Sequence, residues 1–467
     1  MVVEAVHGLE ERIERARGEA RRTGEAAIAA VTVAVPTELD LSAAVLAARR
    51  PDDRFFCLEQ PERQAFALAA VGTAALVEAR GARRFREVAR AQRELAARTF
   101  AGEDPGGPLG SGPLLVGGFA FAPEGGSSPE WSSLAAAQLV MPELSLVRHG
   151  GEARLTVCVR VEGHEEPDVP LERARDRLAE LAPAQMPLLD PDPLERARVA
   201  GAAPPAHYEA AVERAVERIR TGELDKIVLA REVRVHSATE LDPAPVLAAL
   251  RGLFPACYCY CVGTPELAFV GASPELLARR EGARAQTVAL AGTTRRSADP
   301  AVDDHLGEQL MRSPKEREEQ AIVARRIRST LDPVSLWVTV ADDPVLVKVQ
   351  NVQHLATPIR AQLADPVPAV ELAGLLLPTP AVGGEPREVA LPLIPALEGL
   401  DRGWYAGAVG WTDLAEDGEF CVALRCALLR GPVAHLYAGC GIVRDSVPAE
   451  ELAETEVKLQ ALLPLLS

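Results

Sequence analysis

Hydrophobic positions recur with a period of two in some stretches of the chain and near 3.6 in others, and the two patterns divide it into predicted strands and helices. Over residues 1–160 the strand-like runs "RFFCLEQ", "PLLVGGFAFAP" and "EARLTVCVRVEG" are separated by Ala/Arg-rich helical stretches, an α+β arrangement. "AGEDPGGPLGSGP" and "APEGGSSPEW" read as surface turns. "LERARDRLAELAPAQMPLLDPDPLERARVAGAAPPAH" gives a helix and then a Pro-rich connection, which sets the clearest boundary near residues 185–205. Past it, "HYEAAVERAVERIR" predicts a helix stopped at Gly222, and "DKIVLAREVRV" predicts a strand. "GASPELLARR" and "ARAQTVALAGT" flank "EG" as the arms of a hairpin. "CYCYC" alternates as a strand does, placing Cys257, Cys259 and Cys261 on one face as buried thiols rather than metal ligands or disulfides.

Near the C-terminus, "PAEELAETEVK" raises a sharper question. A helical turn of 100° per residue puts Leu452, Leu459 and Leu463 on one stripe and Glu451, Glu454 and Lys458 together on the far side. Taken alone, the leucines pack inward and the charges face water, with Glu454 supporting Lys458 as an i,i+4 pair. At 467 residues with 48% hydrophobic content the chain can bury a large core. Its 50 Lys and Arg against 67 Asp and Glu give −17, which argues against a nucleic-acid or anionic-membrane surface. An anionic substrate would need local help from a metal or from Arg and Lys. The N-terminus has no unbroken apolar run and "FALAAVGTAALV" is too short and interrupted to span a bilayer, so a cytoplasmic protein is expected.

Four places could carry chemistry. Lys226 opens the "KIVLARE" strand on the face of Val228 and Ala230, opposite Ile227 and Leu229. A strand-end lysine ordinarily carries its ammonium out to solvent, whereas one held in a desolvated pocket loses its proton and serves as a general base. Glu275 follows Gly, a small residue and Pro in "GASPE". It is either a turn glutamate or a rigidly presented carboxyl whose burial would make it a general acid. In "SPKEREEQ", Ser313, Pro314 and Glu316 make an N-cap, an N1 proline and a capping box, while Glu319 shares a face with Ile322 and Val323 and would need a cation such as Mg²⁺ if buried. In "YAGCGIVRDS", Gly439 and Gly441 permit close backbone approach, and Ser446 and Pro448 can start the last helix, on which Glu454 could be a second metal carboxylate and Lys458 a substrate contact.

Taken in order, "KIVLARE", "GASPELL", "LAGTTRR", "SPKEREEQ", "VQHLATPI", "GWYAGAVGW", "ALRCA" and "YAGCGIVRDSVPAEELAETEVK" resemble the chorismate-utilising enzymes, densely over residues 205–467 and more loosely before. The resemblance implies one large α/β (α+β) domain of layered, mainly antiparallel sheets flanked by helices. Residues 1–200 would form its variable N-terminal half and 201–467 the chorismate-binding catalytic region. It implies Lys226 as the base that activates water toward ring C2 and Glu275 as the acid at the C4 hydroxyl. Glu319 and Glu454 would be Mg²⁺ ligands, with Glu316 and Glu451 as supporting acids. Arg425, Lys458, Tyr405 and the Gly441 backbone would grip carboxylates, and Gly292, Thr293 and His354 would line the ring pocket.

Lys226, where aminating relatives carry glutamine, points to water rather than ammonia as nucleophile. The implied activity is that of an isochorismate synthase, with a salicylate synthase or a silent chorismate-binding protein as alternatives and supply of menaquinone or of a siderophore both open. A monomer with no glutaminase subunit is expected. Gln320 departs from the pattern, standing where histidine is usual beside the metal glutamate.

Overall fold

The computed structural model describes residues 2–102, 107–190, 197–350 and 352–467. Residues 103–106 of the first Gly/Pro run and 191–196 of the Pro-rich connection lie outside the described residues.

Among the described residues the strands form two sheets, one of thirteen strands and one of ten. Pairing is antiparallel apart from Ala27–Ala34, which runs parallel to the short Thr99–Phe100. Side-chain alternation sorts the core into two layers. Phe56, Leu58, Tyr258 and Tyr260 of the larger sheet share a buried core with Val116 and Trp411 of the smaller one, and Tyr258 donates to Glu419 of the smaller sheet at 2.6 Å. The opposite face of the larger sheet, with Phe55, Cys57, Cys259 and Cys261, is covered by helices through Leu9, Ile13, Leu171, Leu247 and Leu250. Cys257 joins that outer layer with Cys259 and Cys261, as the alternation of "CYCYC" predicts, and all eight cysteines are buried and free.

Both sheets draw on both sides of the Pro-rich connection. Phe55–Gln60 pairs with Tyr258–Gly263 in the larger sheet, and Leu114–Phe119 with Ala408–Asp413 in the smaller. The local expectations hold in the main. A helix spans Pro205–Arg220 and Gly222 follows at φ +79°. The hairpin Leu276–Glu281 to Arg284–Arg295 forms with Gly282 and Ala283 as its two-residue turn, one position later than the "EG" pair, because Gly282 is the residue free to take φ +60°.

Two helix starts differ from the sequence reading. Ser313 Oγ accepts from the Glu316 N–H at 3.4 Å, but the Glu316 carboxylate does not return to Ser313; it accepts from the Thr293 N–H at 3.1 Å. The last long helix, Pro448–Leu459, has Val447 as its uncapped N-cap, while Ser446 Oγ accepts from Val443 N at 3.1 Å. That helix ends at Leu459, so Leu463 belongs to a separate short turn, Leu463–Leu466. Glu451, Glu454 and Lys458 do not form a water-facing stripe either, since they line a cavity, while the helix lies with one flank on Val433–Ile442 and another on Pro205–Arg220. No described helix is long and apolar enough to cross a membrane.

Candidate active site

A cavity opens where Lys226–His236 and Val433–Ile442 of the larger sheet approach Arg284–Arg295 of the smaller, under the helices Pro314–Leu331 and Pro448–Leu459. Twelve of the thirteen residues singled out from the sequence line it: Glu275, Gly292, Thr293, Glu316, Glu319, His354, Tyr405, Arg425, Gly441, Glu451, Glu454 and Lys458.

Lys226, the thirteenth, sits just behind Glu319. It is 0% exposed, and its Nζ donates to Glu319 Oε1 at 2.7 Å. The strand alternates as read: Ile227 and Leu229 are buried in the core on one face and Val228 lines the cavity on the other. A route to solvent is closed to this lysine, so the snorkelling alternative does not apply. Gly441, paired with Val228 across the ladder, makes room for the ion pair, because a Cβ there would collide with the Glu319 carboxylate and the Lys226 stem.

Glu275 is buried at the end of Ala268–Ser273, its N–H bonded to Ser273 Oγ at 3.2 Å and its carbonyl to Val422 N at 3.0 Å. Burial raises its carboxyl to about 8, against the opposing pull of the Lys226 charge and a 3.4 Å bond from Thr379. At neutral pH this group holds its proton.

Four carboxylates converge on the cavity from the two helices, with Lys315 among them. Glu316 is raised to about 7, first by burial and then by the neighbouring Glu319 charge. Its Oε2 meets the Thr293 amide because a register shift at Gly292, φ +74°, turns that N–H out of the ladder. Burial raises Glu451, with Lys315 opposing at 3.2 Å. Burial also acts to raise Glu454, but Lys458 Nζ at 2.7 Å outweighs it and holds the group below its ordinary value. Ligand atoms of Glu451, Glu454 and Cys440 lie within 4.8 Å of one another. Several crowded carboxylates, two of them raised by burial and mutual repulsion, are a donor set that could hold a hard divalent cation.

The cationic groups gather beside them. Arg425, at φ +48°, directs Nη2 at His354 Nε2, 3.0 Å away. A guanidinium only donates, so Nε2 accepts and the proton resides on Nδ1, facing Thr293 Oγ1 at 3.1 Å and Gly292 O at 3.3 Å. Burial, then the Arg425 and Lys458 charges, keep His354 far below its usual range and therefore neutral. Lys458 Nζ also donates to Gly439 O at 2.8 Å, and Tyr405 stacks on Tyr437 with centroids 5.2 Å apart.

Lys315, Val382 and Tyr437 line the cavity and were not singled out from the sequence. Lys315 had a signal, standing inside "SPKEREEQ" beside Glu316. Tyr437 had only its parity with Gly439 and Gly441 along the strand. Gln320 is turned away from the carboxylates: its Nε2 donates to Ala289 O and Thr357 Oγ1, both at 2.9 Å, pinning the helix to the smaller sheet.

The sequence profile described as "Chorismate binding enzyme" matches residues 11–467. The chain belongs to the chorismate-binding enzyme family. Among relatives of this chorismate-binding chain, the salicylate biosynthesis isochorismate synthase of Pseudomonas aeruginosa is 37% identical over 99% of the chain and 95% of the relative. Isochorismate synthase MenF of Bacillus subtilis is 35% identical over 76% of the chain and 75% of the relative. The solved structure of MenF, the menaquinone-specific isochorismate synthase from Escherichia coli, superposes with a TM-score of 0.78 at 29% identity, covering 98% of the chain and 100% of that structure. Anthranilate synthase component I from Streptococcus pneumoniae shares the fold, with a TM-score of 0.66 at 20% identity over 94% of the chain and 92% of that structure. In this chorismate-binding enzyme, then, a buried proton donor, a carboxylate cluster and an arginine share one cavity, with the buried Lys226 directly behind its wall.

Proposed function

We propose that the chain is an isochorismate synthase, which forms isochorismate by adding water at C2 of chorismate as the C4 hydroxyl leaves. The observation that carries this reading is the pairing of Glu275, protonated to about pH 8 by burial, with the fully buried Lys226 whose charge it feels. Lys226 acts in its neutral amine form, taking a proton from the attacking water while Glu275 gives one to the departing hydroxyl, which leaves as water. One proton is gained and one lost, so transfer between the two groups restores the starting state. Arg425 and Lys458 grip one substrate carboxylate, Arg425 being held for this by neutral His354. Glu319 and Glu454 would hold Mg²⁺, with Glu316 and Glu451 in support through water. The ion supplies positive charge for the second carboxylate.

The test is incubation of the purified protein with chorismate, with and without Mg²⁺, followed by chromatography and mass measurement of the products. An isomer of unchanged mass, lost on chelation, is the expected outcome. Salicylate plus pyruvate would make the chain a salicylate synthase, and absence of turnover a silent binder. We further propose that it works as a monomer with no glutaminase subunit. Light scattering should return the 49.7 kDa mass of one chain, and added ammonia should yield no aminated product.

A further inference from the structure

The strand that carries Lys226 has a complete ladder on one edge only. Val433–Ile442 pairs with it from Ile227 to His236. On the other edge Gly384–Glu385 covers Lys226 and Ile227, and Arg198–Gly201 covers Val233 to His236, which leaves residues 228–232 between them without a strand partner. Backbone groups at such a gap must be bonded some other way.

Backbone bonds close its two ends, Val228 N–H to Gly383 O at 2.8 Å and Ala202 N–H to Glu232 O at 3.0 Å, and two charged side chains bond groups between them. Glu398 Oε1 accepts from the Ala230 N–H at 2.7 Å, and Arg402 Nη2 donates to Val228 O at 2.9 Å. The same guanidinium donates through Nη1 to Val382 O at 2.8 Å and through Nε to Glu398 Oε2 at 3.0 Å. Its carbon lies 4.4 Å from the Phe121 ring centroid and 5.7 Å from that of Tyr405. Glu398 and Arg402 are both buried, yet neither lines the cavity, whereas Val228, Val382 and Tyr405 do. A buried ion pair is a poor way to gain stability, because apolar side chains of similar volume usually do as well. This pair does something apolar residues cannot: it bonds three backbone groups on two segments and abuts a third.

We infer that Glu398 and Arg402 are positioning residues. By standing in for the missing strand they fix the register and height of the Lys226 strand against the Val382 segment and the Tyr405 ring, and so set where the lysine enters the site. This rests on the reading of Lys226 as the base.

Two variants test it. Arg402→Lys keeps a cation for Glu398 but loses the fork. The double variant Glu398→Gln with Arg402→Met removes both charges while leaving an acceptor for Ala230, which guards against a simple failure to fold. For folded protein of either variant, kcat with chorismate should fall on the order of 10- to 100-fold while KM changes less than about threefold, because displacement of a reacting group affects the chemical step more than binding. Amide hydrogen exchange over residues 226–232 should accelerate roughly tenfold while the Val433–Ile442 core amides stay protected. Unchanged exchange over 226–232, retained kcat, or a loss confined to KM would overturn the inference. If the unaltered protein does not turn chorismate over, the functional reading fails by itself, and the exchange data alone decide whether the pair holds the strand.

Discussion

Glu275 illustrates how a single buried side chain acquires a chemical role. Nothing in its covalent structure distinguishes it from an exposed glutamate. Desolvation, which penalises the carboxylate, lifts it to about 8. The sign follows directly: the donor form dominates below that value and vanishes above it, so turnover should fall as pH rises through about 8, which a pH profile of kcat would check. Replacing Glu275 with Gln removes the transferable proton but preserves shape. A loss of roughly 10²- to 10⁴-fold in kcat is expected, with the melting temperature unchanged or raised; retained turnover would remove Glu275 from the mechanism. The rigid "GASPE" context was legible in the sequence as the frame for a presented carboxyl. The neighbour that tempers it, Thr379, lies 104 positions away and was not.

At the scale of elements, the site is a contact between a glycine-bearing strand and two acidic helices. Gly441→Ala places a methyl group against the Glu319 carboxylate and the Lys226 stem. Overpacking of this kind costs about 1–3 kcal/mol, measurable by chemical denaturation, and here it should also separate the 2.7 Å ion pair. Calorimetric titration with Mg²⁺ should then show weaker binding than in the unaltered protein; unchanged affinity would mean that Glu319 is not a ligand. The helix bearing Glu451, Glu454 and Lys458 was readable as amphipathic, but its outward face was not. The same limit applies at Glu316, whose capping-box spacing is real but whose carboxylate follows the Thr293 amide freed by the Gly292 bulge.

For the molecule as a whole, stability and site depend on strands drawn from both ends of the chain. Phe119 is fully buried between the smaller sheet and the helix Arg84–Ala97, stacked on Phe85 of that helix at 4.2 Å and edge-on to Phe420 at 5.8 Å. Phe119→Ala should cost about 3–5 kcal/mol by urea denaturation, since it opens a cavity in the layer on which both halves pack; a cost below about 1 kcal/mol would show that the layer collapses around the change. By itself the sequence determined the α+β class, the alternation that buries Cys257, Cys259 and Cys261, the hairpin, the helix starting at Ser313, and twelve of the residues that line the cavity. These follow from local periodicity, from turn chemistry and from the order of short motifs. Only the tertiary structure decided that Lys226 is sealed behind Glu319, that Glu451 and Glu454 face a cavity rather than water, that Gln320 turns toward the sheet, and that Glu398 and Arg402 fill a gap beside the Lys226 strand. Periodicity states which side chains share a face, whereas what covers that face is set by pairings between residues far apart in the chain.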